Sequence, residues 1–458
     1  MALAITRTFD PMWRGGRRPA SRAWRRALGS SLLTGTLAVG GGAVLAPGPG
    51  IPAAPAGASV RATSTCAPVE TPTAAQNAST TGITPTSVTV GNVSIITGPV
   101  PGLFAGAPIG VKAYFDMINS QGGVNGRKLY VDSKDDAFSG SQNQTETEQA
   151  IASDFALVGS FSLFDGYGCA ALAQNSAVPD VSVTLDSGTN ALPNDFSAQP
   201  LAFGESNGPI AYYKKHYPNA KTLGAIVSDV ASAKAQWEGQ LAGFVAQGYK
   251  LGYVDYVNPL QSDFTTDVIN MKSHGVTAVD LTDVDWQDGA IFVQDMATQS
   301  WHPALVFSGG PLYAAQFISH AGGPAATSGI QIGQGQALYL GQDAKSVPAD
   351  QQFLTYVKKV NASWMPDLYT LYGWASAQLF VQALRAAGAH PTRGAVIAQL
   401  KKITSFGASG LLGTANPAAK TPTACYLMAQ IKNGKYVRET PPTSGFNCNT
   451  TYYQPSGS

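Results

Sequence analysis

The residues able to do chemistry are few and scattered. Histidine stands at 216, 274, 302, 320 and 390, with no His-Glu-x-x-His pair among them. There is no Walker sequence, and Gly91 to Gly106 does not form a Gly-x-Gly-x-x-Gly loop. The four cysteines make no Cys-x-x-Cys and sit in no His/Cys cluster, so no metal site and no cofactor are expected. The pair best suited to chemistry is Asp285-Trp286. A carboxylate beside an indole reads an ammonium by charge and by cation–π attraction. An Asp at that place also serves as the cap of a following helix. The expectation is recognition of a small molecule, not catalysis.

The elements that must position such residues follow a βα rhythm. Ser87 to Ile96 places Val88, Val90, Val93 and Ile95 among small or polar residues, which predicts a strand. A Gly/Pro-rich turn follows (97–106), then a helix carrying Ile109, Val111, Tyr114, Met117 and Ile118, stopped at Gly122-Gly123. Asn125-Gly126 turns the chain into a second strand from Leu129. Short apolar runs then alternate with helical ones, with strands at 155–159, 181–185, 222–228, 251–257, 278–281 and 304–307. Helices are expected at 141–153, 168–176, 210–216, 234–247, 264–274, 291–299, 351–360 and 371–387, and a hairpin over 425–439 turning at Asn433-Gly434. This alternation predicts parallel sheets covered on both faces.

Gly-Gly-Val-Asn-Gly-Arg-Lys-Leu (122–129), placed after a strand, a Gly/Pro loop and a helix, resembles the opening of the leucine/isoleucine/valine-binding protein family. These are type I periplasmic solute-binding proteins of branched-chain amino acid ABC transporters. The resemblance runs from about Ile83 to Arg438. It implies an α/β fold of two Rossmann-like parallel-sheet lobes joined by a three-crossing hinge, with crossings near Phe203, Ile332 and Thr414. Lobe one is then 83–203 plus 333–414, lobe two 204–332 plus 415–448, and 449–458 a tail. The implied function is capture of a small organic solute between two closing lobes and delivery to the membrane permease of an ABC importer. A ligand-sensing receptor subunit of the same fold is the alternative. The protein is expected to act as a monomer.

The resemblance also implies where the solute sits: on loops at the carboxyl ends of strands in both lobes. Carried over position by position, it selects Phe104 after strand one, then Ser160, Phe161 and Ser162 after strand three. Ser187 and Thr189 follow strand four. In lobe two it selects Asp285, Trp286 and Ser308. Two positions depart from the family: a serine position falls on Leu163, and the acid that holds an α-ammonium falls on Gly310. Either Asp285 replaces that acid, because a buried ammonium needs an acceptor, or the solute has no ammonium. The reading favours a different small solute, amino-acid-like or a related carboxylate, amide or aromatic compound. Phe104, Phe161, Phe164, Trp286 and Tyr313 would suit its apolar part.

Composition and the N-terminus agree with export. Charged residues are 12%, about half the usual ~25%. The first 46 residues hold seven Arg and one Asp; without them 22 basic and 27 acidic residues remain, a net charge of −5 that does not suit nucleic acid. An Arg-rich start, the uncharged run 27–46 and Val44-Leu45-Ala46 read as an export signal. Arg25-Arg26-Ala27-Leu28 hints at twin-arginine export. Residues 47–82 read as a flexible Pro/Ala/Ser/Thr linker. The location expected is extracytoplasmic, secreted or tethered through the N-terminal segment. In an exported chain four cysteines suggest two disulfides. Cys425 and Cys448 flank the last hairpin and are the expected pair, which leaves Cys66 with Cys169.

Overall fold

The structure, a computed structural model, describes residues 66–455 apart from 101, 202 and 260. The expected export signal and residues 47–65 of the expected linker lie outside the described residues.

The first strand, β1 (Ser87–Ser94), is buried on both faces: Val88, Val90 and Val93 are at most 2% exposed. It pairs in parallel with β2 (Lys128–Asp135) from Ser87 opposite Lys128 to Ser94 opposite Asp135. With β3 (Leu157–Val158) and β4 (Asp180–Val181) it forms a parallel sheet of order β2-β1-β3-β4. The helix Gly106–Ser120 buries Val111, Tyr114, Phe115 and Ile118 on it. The helix Leu368–Ala386, far along the chain, comes back to pack on this helix. Their backbones approach closely enough that a Cβ on Gly110 would collide with the Thr370 carbonyl, and one on Gly373 with that of Ala107.

The second sheet has the order β12-β11-β10-β9-β8-β6-β7. Its parallel strands are β6 (Thr222–Ser228), β7 (Lys250–Val257), β8 (Ala278–Asp280), β9 (Leu305–Ser308) and β10 (Gln331–Gln334). The hairpin β11 (Leu427–Lys432) and β12 (Lys435–Thr440) adds two antiparallel strands and turns at Asn433-Gly434, with φ of 51° and 71°. The architecture is the α/β fold of two parallel-sheet lobes.

Between the sheets the chain passes at 199–206, 333–338 and 411–425, and these stretches are bonded to one another. The Gly413 N–H donates to Gly335 O at 2.7 Å, the Ala337 N–H to Leu411 O at 2.9 Å, and the Ser206 hydroxyl to Ala424 O at 2.9 Å. The short strand β5 (Glu205–Ser206) lies on the first crossing.

Three expectations are corrected. Residues 66–82 are not a loose linker. Thr73 and Gln76 form a reciprocal capping box on the helix Ala74–Asn77, and the Glu70 N–H donates to Ala173 O at 3.0 Å. A stretch poor in large apolar groups is ordered here by backbone bonds and by the Cys66–Cys169 disulfide, whose Cα atoms are 5.4 Å apart. Next, 449–458 is not simply a tail, because β13 (Tyr452–Tyr453) pairs antiparallel with β5. The Cys425–Cys448 disulfide, with Cα atoms 4.1 Å apart, holds it there. Finally, the expected strand 181–185 is only Asp180–Val181; beyond it the Val183 N–H still donates to Ser160 O at 3.1 Å, and the Thr184 hydroxyl donates to the Asp195 carboxylate at 2.6 Å. Among the described residues no helix is long and apolar enough to cross a membrane.

Candidate functional site

The carboxyl ends of both sheets face a single cleft of about 320 Å³, floored by the three crossings. That volume suits a small organic molecule.

One wall comes from the first sheet and is apolar. Phe104 follows β1 and Phe161 follows β3; their ring centroids are 4.5 Å apart, edge to face. Tyr369 completes the cluster, 4.5 Å from Phe104 and 5.0 Å from Phe161. Leu163, Leu185 and Tyr372 extend the wall. Tyr369 was missed because the sequence predicts this helix only from Leu371. Asp367 caps it earlier, accepting the Thr370 N–H at 2.8 Å, and brings Tyr369 onto the cleft.

The serines and threonine expected on this wall do not line it. Ser160 accepts the Val93 N–H at 3.0 Å. Ser162 donates to Asp136 at 2.5 Å and accepts the Phe164 N–H at 3.0 Å. Both face a small interior space of about 20 Å³, with Thr189. Thr189 and Ser187 belong to the short helix Ser187–Ala191 capped by Asp186. Main-chain donors of the same edge are also taken: Leu185 and Asp186 give their N–H groups to Asp165 at 2.6 and 3.1 Å. Phe164 and Tyr313 do not line the cleft either; Tyr313 is buried, its hydroxyl accepting the Leu340 N–H at 2.7 Å.

The other wall is acidic. Asp283 and Asp285 come from the loop after β8, and Glu205 from the first crossing. Asp285 lines the cleft, yet its Oδ1 also caps the helix Trp286–Thr298, taking N–H groups from Gln287 at 2.6 Å and Asp288 at 3.4 Å. That earlier start turns Trp286 away, edge-on to His320 at 5.1 Å, and it does not line the cleft. Ser308 is absent from the lining too, because it donates to Leu281 O at 2.9 Å. Gly310 does line it, and a Cβ there would press on Gln336 Oε1 and Leu368 at 3.1 Å, so a side chain at that position needs both to shift.

Asp283 and Glu205 are the functional candidates that sequence reasoning missed. Asp283 was in view, two residues before Asp285 in the same loop. Glu205 had no strand-end signal, because it lies on a crossing. Burial, then the Asp280 charge, pushes Glu205 up to about 8. Burial, then the charges of Asp280 and Glu205, raises Asp283 well above the ordinary carboxylate range. Burial takes Asp280 up to about 7 against the pull of the two Thr282 donors. The Asp283 Oδ2 has no hydrogen-bond partner.

Glu205 and Ser206 lie in Gly204-Glu205-Ser206-Asn207-Gly208, a run with the Gly-x-Ser-x-Gly spacing of a nucleophile loop that sequence reasoning passed over. Its serine caps the helix Asn207–His216 and donates to Ala424 O. No histidine lines the cleft among the described residues.

Comparison with known proteins agrees with this fold. The protein "Leu/Ile/Val-binding protein homolog 1" of Brucella melitensis is 26% identical over 310 residues, 64% of this chain and 77% of that protein. A fatty acid ABC transporter substrate-binding protein from Thermomonospora curvata superposes with a TM-score of 0.67 at 15% identity, covering 82% of this chain and 94% of that one. The branched-chain amino acid transporter substrate-binding protein of Streptococcus pneumoniae, in complex with isoleucine, gives 0.63 at 18% identity, covering 77% and 100%. The family model described as periplasmic binding protein matches residues 87–435, most of the chain, and the chain belongs to that family.

Proposed function

We propose that this protein captures a small organic solute in the interlobe cleft and hands it to the membrane permease of an ABC importer, acting outside the cytoplasm as a single subunit. The observation that carries the reading is the cleft itself, built by both sheet edges and all three crossings, so that relative rotation of the lobes opens or closes it. Family membership supports the solute-binding role. Lobe one in this reading is 83–203 with 333–414, and lobe two 204–332 with 415–448. Phe104, Phe161 and Asp285 are the expected contact residues that line the cleft, joined by Tyr369, Asp283 and Glu205. The relatives' names offer amino acids and a fatty acid as precedents. The test is small-angle scattering on the exported chain with a solute found by thermal-shift screening. A shrinking radius of gyration on binding is expected. A solute that binds without closure and survives Phe161→Ala would place the site elsewhere.

A further inference from the structure

Most of the polar atoms that the cleft leaves without partners are acceptors, the Ser232 hydroxyl being the exception. Oδ2 of Asp283 and Oε1 of Gln199, Gln334 and Gln336 are buried acceptors with no donor. Gln334 and Gln336 are only 5% and 6% exposed, and their amide nitrogens are already used, on Gln336 O at 2.9 Å and the Tyr372 hydroxyl at 2.6 Å. Three carboxylates line the same space, and among the described residues no Lys, Arg or His does. A buried polar group left unmatched costs free energy, so the complementary ligand brings donors and positive charge. The opposite wall offers rings and leucines, with the Leu185 and Asp186 N–H groups already held by Asp165. A ligand carboxylate entering the cleft would meet carboxylates and no cation.

Resting on the cleft being the solute site, we infer that the solute is an organic cation: a protonated amine on an apolar or aromatic body, without a carboxylate. The ammonium sits against Asp283 and Glu205 with the glutamine carbonyls, and the body lies on Phe104, Phe161 and Tyr369. This differs from an amino-acid solute, whose carboxylate would find no cationic side chain in the cleft among the described residues. The groups facing Glu205 are Asp280, Asp283, Tyr213 and Tyr452, and Tyr369 faces Asp285; none brings a positive charge.

The experiment is calorimetric titration of the exported chain, near neutral pH, with two matched sets: isopentylamine, leucine and isocaproate, then phenethylamine, phenylalanine and phenylpropionate. In at least one set the amine should bind about tenfold or more tightly than its amino acid, with no binding of the acid. Asp283→Asn and Glu205→Gln should each weaken the amine by about tenfold or more. Their melting curves, measured alongside, show whether each variant is folded. Amine binding indifferent to both substitutions overturns the inference, as does no amine binding at millimolar concentration. Tighter binding of leucine, phenylalanine or either acid, lost in Phe161→Ala, overturns the class of solute while keeping the cleft as the site. The same binding retained in Phe161→Ala removes the cleft reading as well.

Discussion

The two walls of the cleft use polar residues in opposite ways. On lobe one, each strand-end hydroxyl or acid with a bond to show is satisfied from within: Ser160 by Val93, Ser162 by Asp136 and Phe164, Asp165 by Leu185 and Asp186. What this edge presents to the cleft is carbon. On lobe two and the first crossing, Asp283 keeps an unpartnered oxygen, and Glu205 and Asp285 share its space. A polar residue at a strand's carboxyl end is therefore only a candidate for binding. Whether its hydrogen bonds are already spent decides the matter, because a satisfied group has little left to offer a ligand.

The contrast breaks most visibly at Asp283. Asp283→Asn should cost a cationic solute about 2–5 kcal/mol of binding free energy. The free protein should melt no lower, since the change removes a carboxylate crowded by Asp280 and Glu205; calorimetry and a melting curve check both. Ser162→Ala on the other wall should do the converse. Loss of its bonds to Asp136 and Phe164 should cost about 1–3 kcal/mol of stability in denaturant titration, with solute affinity unchanged. If Ser162→Ala weakened binding while leaving stability intact, the assignment of the two walls would be reversed.

The acids also set a pH trend. Glu205 lies raised to about 8 and Asp280 to about 7 in the folded chain, above their unfolded values. The folded state then binds more protons than the unfolded one between those values, so stability falls as pH rises through that window. Asp165 and Asp180 of lobe one, raised by burial to about 7 and 8, add the same sign. The solute-free protein should therefore melt higher at mildly acidic pH than at mildly alkaline pH, and Glu205→Gln should flatten part of that slope. The smallest effect is expected at Asp285→Asn. Asparagine caps a helix about as well as aspartate, so stability should move by less than about 0.5 kcal/mol, with only a slight loss of cation affinity from the reduced local charge.

Much of the fold was legible in the sequence because its parallel strands are apolar runs set between helical periods: Ser87 to Ile96, Thr222 to Ser228 and the hairpin at Asn433-Gly434 declare themselves locally. Strand β10 did not, because its ends are Gln331 and Gln334, polar residues buried by partners such as the Tyr217 hydroxyl at 2.6 Å from Gln331. Nor did β13, whose pairing depends on a long-range disulfide and a crossing. Topology led to loops that border the cleft, and Phe104, Phe161 and Asp285 line it. The inward bonds of the hydroxyls were not legible, because their partners Asp136 and Val93 are distant in sequence. Glu205 was invisible to strand-end reasoning, and Gly310 pointed to a missing acid without saying where another would be found.

The central claim, that carboxylates of lobe two and the first crossing are the solute's counter-charges, is tested most directly by proton release. Isopentylamine or phenethylamine, whichever binds, should be titrated near neutral pH in two buffers of different ionisation enthalpy, and again from pH about 6 to about 8. Ionising Glu205 and Asp283 against an ammonium should release protons on binding and tighten affinity as pH rises. Proton uptake, with affinity falling over the same range, would mean that the acids gain protons rather than ionise when the amine binds, and would contradict the account.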